Sequence, residues 1–207
     1  RLKPEHHEWR AQLRRFFDRE VIPYADQWDE DGCIPDELWP KSAEVGILGL
    51  GYPEEFGGVS KGIDLWYSII LNEEMSRVAV GGLGATLMVH GIGLPPVINF
   101  GSDDVKKMVA PPVLAGTKRI SLAITEPGAG SDVAHLTTTA RLDGDYYVVN
   151  GSKTYITGGM NANWFTTAVR TGGEGAGGVS TLLIPADAEG VSRTALDKKQ
   201  GWWCSDT

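Results

Sequence analysis

Cysteine is scarce. Cys33 and Cys204 are the two in 207 residues, far apart and without metal-ligand spacing, which suits a reducing compartment. Histidine is equally thin: His6 and His7 are adjacent, His90 and His135 stand alone, and no zinc-type cluster forms. Long apolar runs are missing, none approaching the roughly 20 residues that span a bilayer. The charged amino terminus carries no signal-peptide core. Positive charge is short, 19 Lys and Arg against 27 Asp and Glu for a net −8, which disfavours a surface for nucleic-acid backbones. Arg10, Arg14 and Arg15 are interleaved with acids rather than clustered. No Gly-x-Ser-x-Gly elbow or Gly-x-x-x-x-Gly-Lys loop occurs, which argues against α/β-hydrolase and P-loop sites. Gly128-Ala129-Gly130 starts a dinucleotide fingerprint but lacks its last glycine and the following helix.

What remains is ordinary soluble material, 42% hydrophobic and 22% charged, enough for a core without staples. Trp9, Leu13, Phe16, Phe17 and Val21 recur at helical spacing, predicting a helix over residues 4–30 that Pro23 kinks and Gly32 stops. Asp36 is the expected cap of a short helix ending at Gly46, and Asp64 of a stronger one running to Val78. The many glycines of residues 49–62 predict a loop. A further apolar helix is expected over 82–100, complicated by Pro95 and Pro96, and another over 102–114 capped by Ser102. After Gly116 the texture changes to short β-branched and aromatic runs at 121–125, 137–142, 146–150, 153–157, 165–170 and 181–184. Asp143-Gly144 joins two of them as a hairpin, and residues 172–178 read as a flexible hairpin tip or loop. The fold class is therefore α+β: a helical domain over 1–117 and an antiparallel β domain over 118–207, with no internal repeat. The chain opens on Arg1 and closes at Thr207 just after Gly-Trp-Trp-Cys-Ser-Asp, and is expected to be part of a longer polypeptide.

Two stretches invite chemistry. Ile120 to Asp132 begins as a buried strand and breaks at Pro127-Gly128 into Gly130, Ser131 and Asp132. Such a corner either cradles an anion on outward N–H groups or is a tight turn that needs glycine for positive φ. Lys153 to Gly159 reads as a strand with Tyr155 and Thr157 on one face, able to stack on and hydrogen-bond a flat heterocycle, or as ordinary half-buried β sequence.

Taken together, these stretches resemble the acyl-CoA dehydrogenase family. The residues that carry the likeness are Thr125-Glu126-Pro127-Gly128-Ala129-Gly130-Ser131-Asp132, then Asn150-Gly151-Ser152-Lys153 and Tyr155-Ile156-Thr157-Gly158. Gly46 to Leu50, Pro53 to Gly58, Asn72 to Arg77, Gly101 and Gly201-Trp202 extend it in order along essentially the whole chain. The resemblance implies an amino-terminal helical domain and a β-barrel-like middle domain, the family's carboxy-terminal four-helix domain being absent from these residues. It implies FAD as cofactor, an acyl-CoA thioester as substrate, an electron-transfer flavoprotein as partner and a homotetramer. By the same resemblance the protein works in the bacterial cytoplasm or the mitochondrial matrix; from the charge and the lack of a spanning run, no nucleic-acid or membrane partner is expected.

Residue by residue, Leu122, Ile124 and Thr125 match positions lining the flavin, Thr125 on its pyrimidine side. Gly130 and Ser131 match the corner that faces cofactor phosphate and the CoA ester, so Ser131 is also a substrate residue. Tyr155 stands where many members carry Trp, Ile156 beside it, and Thr157 matches the hydroxyl that reaches flavin N5. Tyr155, and Leu122 where an aromatic is frequent, depart from the pattern and leave redox tuning and acyl preference open. No catalytic base is assigned: Glu126 reads as structural, and Glu73 and Glu74 as partners of Arg77 or solvent. These residues alone are expected to be inactive. Rival readings are a same-fold flavin oxidase or monooxygenase, a DNA-binding relative, and a truncated binding module.

Overall fold

Pro4 opens helix α1 (Pro4–Glu20), where its missing N–H costs nothing, and Trp9, Leu13, Phe16 and Phe17 form its buried stripe. The expected single helix is two: α1 ends before Pro23, and α2 (Ala25–Asp31) restarts after it. Proline removes the N–H and crowds the carbonyl a turn earlier, so the break is complete rather than a kink. Gly32 closes α2 at φ +70°. Helix α3 (Leu38–Glu44) is not capped by the Asp36 side chain. That carboxylate pairs instead with Arg119, whose guanidinium lies 3.8 Å over the Trp39 ring.

Asp64 does cap α4 (Leu65–Met75), accepting from Trp66 N at 3.0 Å. The same Asp64 Oδ1 meets His6 Nε2 at 3.0 Å, while His6 Nδ1 accepts from Lys3 N at 3.0 Å. One fully buried imidazole thus ties the start of α1 to the start of α4. Asp64→Ala is expected to remove about 2 kcal/mol of stability, one share from the cap and one from the His6 bond. Urea unfolding of the variant against Asp64→Asn, which keeps an acceptor, checks this; equal losses in both would point to charge rather than to hydrogen bonding.

The expected helix over 82–100 is three short ones, α5 (Gly81–Leu87), α6 (His90–Gly93) and α7 (Pro95–Phe100): the first break falls at Met88 and Val89, and the second at Pro95, which has no N–H to continue the ladder. Ser102 caps α8 (Asp103–Leu114), its Oγ accepting from Val105 N. One core of buried residues fills the helical half from Trp9 to Leu87 and includes Cys204 from the far end of the chain. A second joins Phe56, Leu94, Val97, Val109 and Val113 to Ile120, the first residue of the sheet. No single helix is long and apolar enough to cross a membrane.

A computed structural model describes residues 1–207. The β half is a mixed sheet of β1 (Ile120–Ala123), β2 (Thr139–Asp143), β3 (Tyr146–Asn150), β4 (Trp164–Arg170) and β5 (Val179–Pro185). β1 runs parallel to β4, Ile120 opposite Trp164, and β2 continues that edge through Thr139 opposite Arg170. β5 lies on the other edge of β4, and β2–β3 is an antiparallel hairpin turned at Gly144, whose φ is +61°. An all-antiparallel sheet is thus corrected to a mixed one, because the irregular stretch 151–163 returns the chain in the direction of β1. Within that stretch the expected strand 153–157 is absent.

Candidate functional site

Where β1 stops at Ala123, the chain turns through Glu126 and Ala129, which exchange two backbone bonds, Glu126 N to Ala129 O at 2.9 Å and Ala129 N to Glu126 O at 3.2 Å. Pro127 and Gly128 sit at the centre of that turn. Neither Gly128 nor Gly130 adopts positive φ, so the turn does not need glycine for its backbone sign. Nor does crowding demand it: a Cβ on Gly128 would meet nothing within 4 Å, and one on Gly130 only Thr125 Cγ2 at 4.0 Å. The amides of Gly130, Ser131 and Asp132 donate to no group in the chain, and all three residues are exposed. A Cβ-free corner with bare N–H groups lets an anion approach the backbone closely.

The second stretch lies directly against the first. Thr154 N donates to Thr125 O at 2.8 Å, and Lys153 Nζ to Ile124 O at 2.9 Å. Leu122, Ile124, Thr125, Ile156 and Thr157 are half-buried along this seam, while Tyr155 is 67% exposed with its backbone at φ +58°. Positive φ at a tyrosine is strained, and it ends the alternation that a strand would need. Gly158 follows at φ +71°, and a Cβ there would sit 3.0 Å from Ser121 Oγ. That hydroxyl is fully buried and has no hydrogen-bond partner.

Glu126 organises the seam. Its carboxylate is 5% exposed and accepts from Thr137 N at 2.6 Å, Thr137 Oγ1 at 2.8 Å, Thr138 N at 2.9 Å and Lys153 Nζ at 2.7 Å. Burial by itself would raise its pKa; the Lys153 ammonium and the Thr137 and Thr138 donors overcome that and hold it far below the usual carboxylate range. An acid fixed as an anion with its oxygens spent cannot serve as a proton acceptor near neutrality. Glu126 thus ties the turn after β1 to Thr137, Thr138 and Lys153.

The structure therefore brings Leu122, Ile124, Thr125, Tyr155, Ile156 and Thr157 to one seam, with Gly130 and Ser131 on the corner beyond Glu126. Sequence reasoning missed Lys153 as the tie between the two stretches, and it missed Asp206, whose backbone and side chain receive the amides of Gly158, Met160 and Asn161. The signal for Lys153 was present: one cation among β formers, with Glu126 the acid nearest the end of β1 in the first motif. A cavity of about 520 Å³ in the helical half, lined by Tyr52, Leu71, Met88 and His90 among others, contains none of these residues. No cluster of metal-ligating side chains assembles. The seam offers apolar side chains, two threonine hydroxyls, an exposed phenol and a corner of bare amides, a set suited to a flat heterocycle with a negatively charged extension.

Comparison with known proteins matches residues 3–117 to the family profile "Acyl-CoA dehydrogenase, N-terminal domain" and residues 121–204 to "Acyl-CoA dehydrogenase, middle domain". The 3-(aryl)acrylate reductase of Clostridium sporogenes is 36% identical over 95% of this chain and 52% of its own length. The crystal structure of a probable acyl-CoA dehydrogenase from Mycobacterium abscessus superimposes with TM-score 0.93 at 46% identity, covering 99% of this chain and 54% of that one. An acyl-CoA dehydrogenase complexed with FAD from Bacillus anthracis gives TM-score 0.87 at 33% identity over 99% of this chain and 35% of its own. The chain spans about half the length of the curated relatives it matches.

Proposed function

Because this chain belongs to the acyl-CoA dehydrogenase family, we propose that it forms the FAD-holding part of an enzyme that dehydrogenates an acyl-CoA thioester between its α and β carbons. Residues 1–117 and 118–207 are read as its helical and β domains. The observation that carries this reading is the seam: Thr154 N on Thr125 O sets the two motif stretches edge to edge beside bare amides at Gly130, Ser131 and Asp132. Bound FAD supplies a two-electron acceptor for the β-hydride. Leu122, Ile124, Tyr155 and Ile156 give the ring apolar walls, and the Thr125 and Thr157 hydroxyls face its polar edge. Gly130, Ser131 and the neighbouring amides hold the anionic portion, with the Ser131 hydroxyl also within reach of the thioester's CoA part. Lys153 and Glu126 keep these segments in register and take no proton. The base that removes the α-proton is proposed to come from outside these residues, so the 207 residues alone are expected to leave bound FAD oxidised. Electrons pass to an electron-transfer flavoprotein, and the whole protein is read as a soluble homotetramer of the bacterial cytoplasm or mitochondrial matrix.

The test is flavin bleaching. In the full-length protein, acyl-CoA is expected to reduce bound FAD, and Thr157→Val to slow that reduction by roughly tenfold through loss of one hydrogen bond that strengthens in the transition state. Stopped-flow absorbance measures both; an unchanged rate removes Thr157 from the mechanism, and a wild-type protein that takes up no FAD ends the reading. A second reading has one observation in its favour, the identity to the 3-(aryl)acrylate reductase. On it, the same α,β chemistry runs toward the saturated acid, and an arylacrylate that reoxidises the reduced flavin would select it.

A further inference from the structure

The turn after Thr157 is held by a residue far away in sequence. Asp206 O accepts from Gly158 N at 2.8 Å, and Asp206 Oδ2 accepts from Met160 N at 2.9 Å and Asn161 N at 3.1 Å. Three amides of one turn thus end on a single side chain and its carbonyl. The turn's carbonyls are gathered from the other side by Arg193, whose Nη1 donates to Met160 O at 2.8 Å, Ala162 O at 3.2 Å and Gly159 O at 3.3 Å. Bonds from amides to an ionised carboxylate are stronger than neutral ones, and the segment belongs to no strand that could hold it instead. The Gly158 amide is the far side of the Thr157 peptide bond. Fixing its direction fixes the backbone from which the Thr157 hydroxyl projects.

Asp206 is itself anchored. Ser205 Oγ accepts from Thr86 Oγ1 of α5 at 2.7 Å, both residues buried, and Cys204 N donates to Asp29 Oδ1 of α2 at 3.0 Å. A Cβ on Gly82 would lie 3.0 Å from the Cys204 sulfur, so the strap seats closely on α5. Residues 204–206 therefore run from the helical core to the turn that carries Thr157.

We propose that Asp206 is a positioning residue for the flavin seam, transmitting the fixed geometry of α2 and α5 to Thr157 through the Gly158–Asn161 turn. This rests on the reading of Thr157 as a flavin contact. Asp206→Ala removes the side-chain acceptor and keeps the carbonyl; Asp206→Asn keeps one oxygen for the Met160 and Asn161 amides.

The experiment uses the full-length protein, stripped of FAD and then titrated with FAD alone. Asp206→Ala is expected to weaken FAD binding roughly tenfold and to shift the visible flavin band, with Asp206→Asn close to wild type in both. Wild-type affinity and spectrum in the alanine variant, or equal loss in both variants, overturns the proposal. Should the alanine variant not unfold cooperatively, Asp206→Glu takes its place: the longer arm displaces the acceptor, so weaker binding is expected and wild-type binding overturns. A wild-type protein that binds no FAD defeats the flavin reading by itself. Amide exchange in the FAD-free protein then decides the strap, with Met160 and Asn161 expected to exchange roughly tenfold faster in Asp206→Ala and an unchanged rate refuting it.

Discussion

Lys153→Met is expected to lower the unfolding free energy by about 3 kcal/mol, because it leaves the Glu126 carboxylate buried without its counter-charge. The Lys153 side chain is 11% exposed and that of Glu126 3%, so water cannot take over the lost contact in place. The three donors from Thr137 and Thr138 remain, which keeps the cost near the lower end for a broken buried pair. The ammonium also leaves Ile124 O, so the seam loosens at two points. Urea titration reads the effect as a lower midpoint at unchanged slope. The double variant Lys153→Met/Glu126→Gln is expected to recover part of the loss, since it removes the unpaired buried charge while an amide oxygen stays in place to accept from Thr137. A single-variant loss near zero, or a double variant no better than Lys153→Met, would mean the pair does not hold the seam.

The same pair gives the acid at position 126 a task in holding the chain together. Glu126 joins the turn after β1 to the residues entering β2 and to the stretch beside Tyr155, adding to the single backbone bond from Thr154 N to Thr125 O. A carboxylate has enough lone pairs to receive all of them at once; a neutral side chain of that length does not.

Local physics was readable in the sequence, and long-range competition was not. The α1 stripe, the Asp64 and Ser102 caps and the Asp143-Gly144 hairpin depend on residues a turn or two apart, and each stands where the pattern placed it. Asp36 looked like a cap and failed because Arg119, distant in sequence, takes its carboxylate. Residues 153–157 have β-forming side chains, yet Thr154 spends its amide on Thr125, Tyr155 is left-handed, and Asp206 claims the amide after Thr157. None of those demands leaves a trace in alternation. The parallel pairing of β1 with β4 is invisible for the same reason, since periodicity reports which face is buried and not which strand lies alongside. The residues of the seam were legible through the family motif; the two groups that hold them together, Lys153 and Asp206, emerge from the coordinates.

Glu74→Gln should be the other large loss, again about 3 kcal/mol at neutral pH. The Glu74 side chain is 1% exposed on α4 and accepts from Arg14 Nη2 at 2.8 Å, Arg14 Nε at 3.0 Å, Arg10 Nη1 at 3.1 Å and Arg77 Nη1 at 3.2 Å. Arg10 and Arg14 of α1 converge on it, so one substitution weakens the tie between α1 and α4 at this end, while the His6–Asp64, Trp9–Tyr67 and Arg10–Glu73 contacts remain. Glutamine keeps the shape but turns an amide donor toward two guanidinium groups. Losing a single arginine is expected to cost far less, because two others still face the carboxylate. The pH dependence follows from direction. Burial would raise the Glu74 pKa, and the bonds from Arg14 and Arg10 more than reverse it, so the folded value lies below the unfolded one. A depressed carboxylate contributes fully above its unfolded pKa, about 4.3, and loses the contribution as pH falls through the folded value. The gap between wild type and Glu74→Gln should therefore be widest at neutral pH and narrow steadily below about pH 4. Urea midpoints taken at several pH values decide it: a gap that stays constant into acid would show that glutamine disturbs packing and that the Glu74 charge does not join α1 to α4.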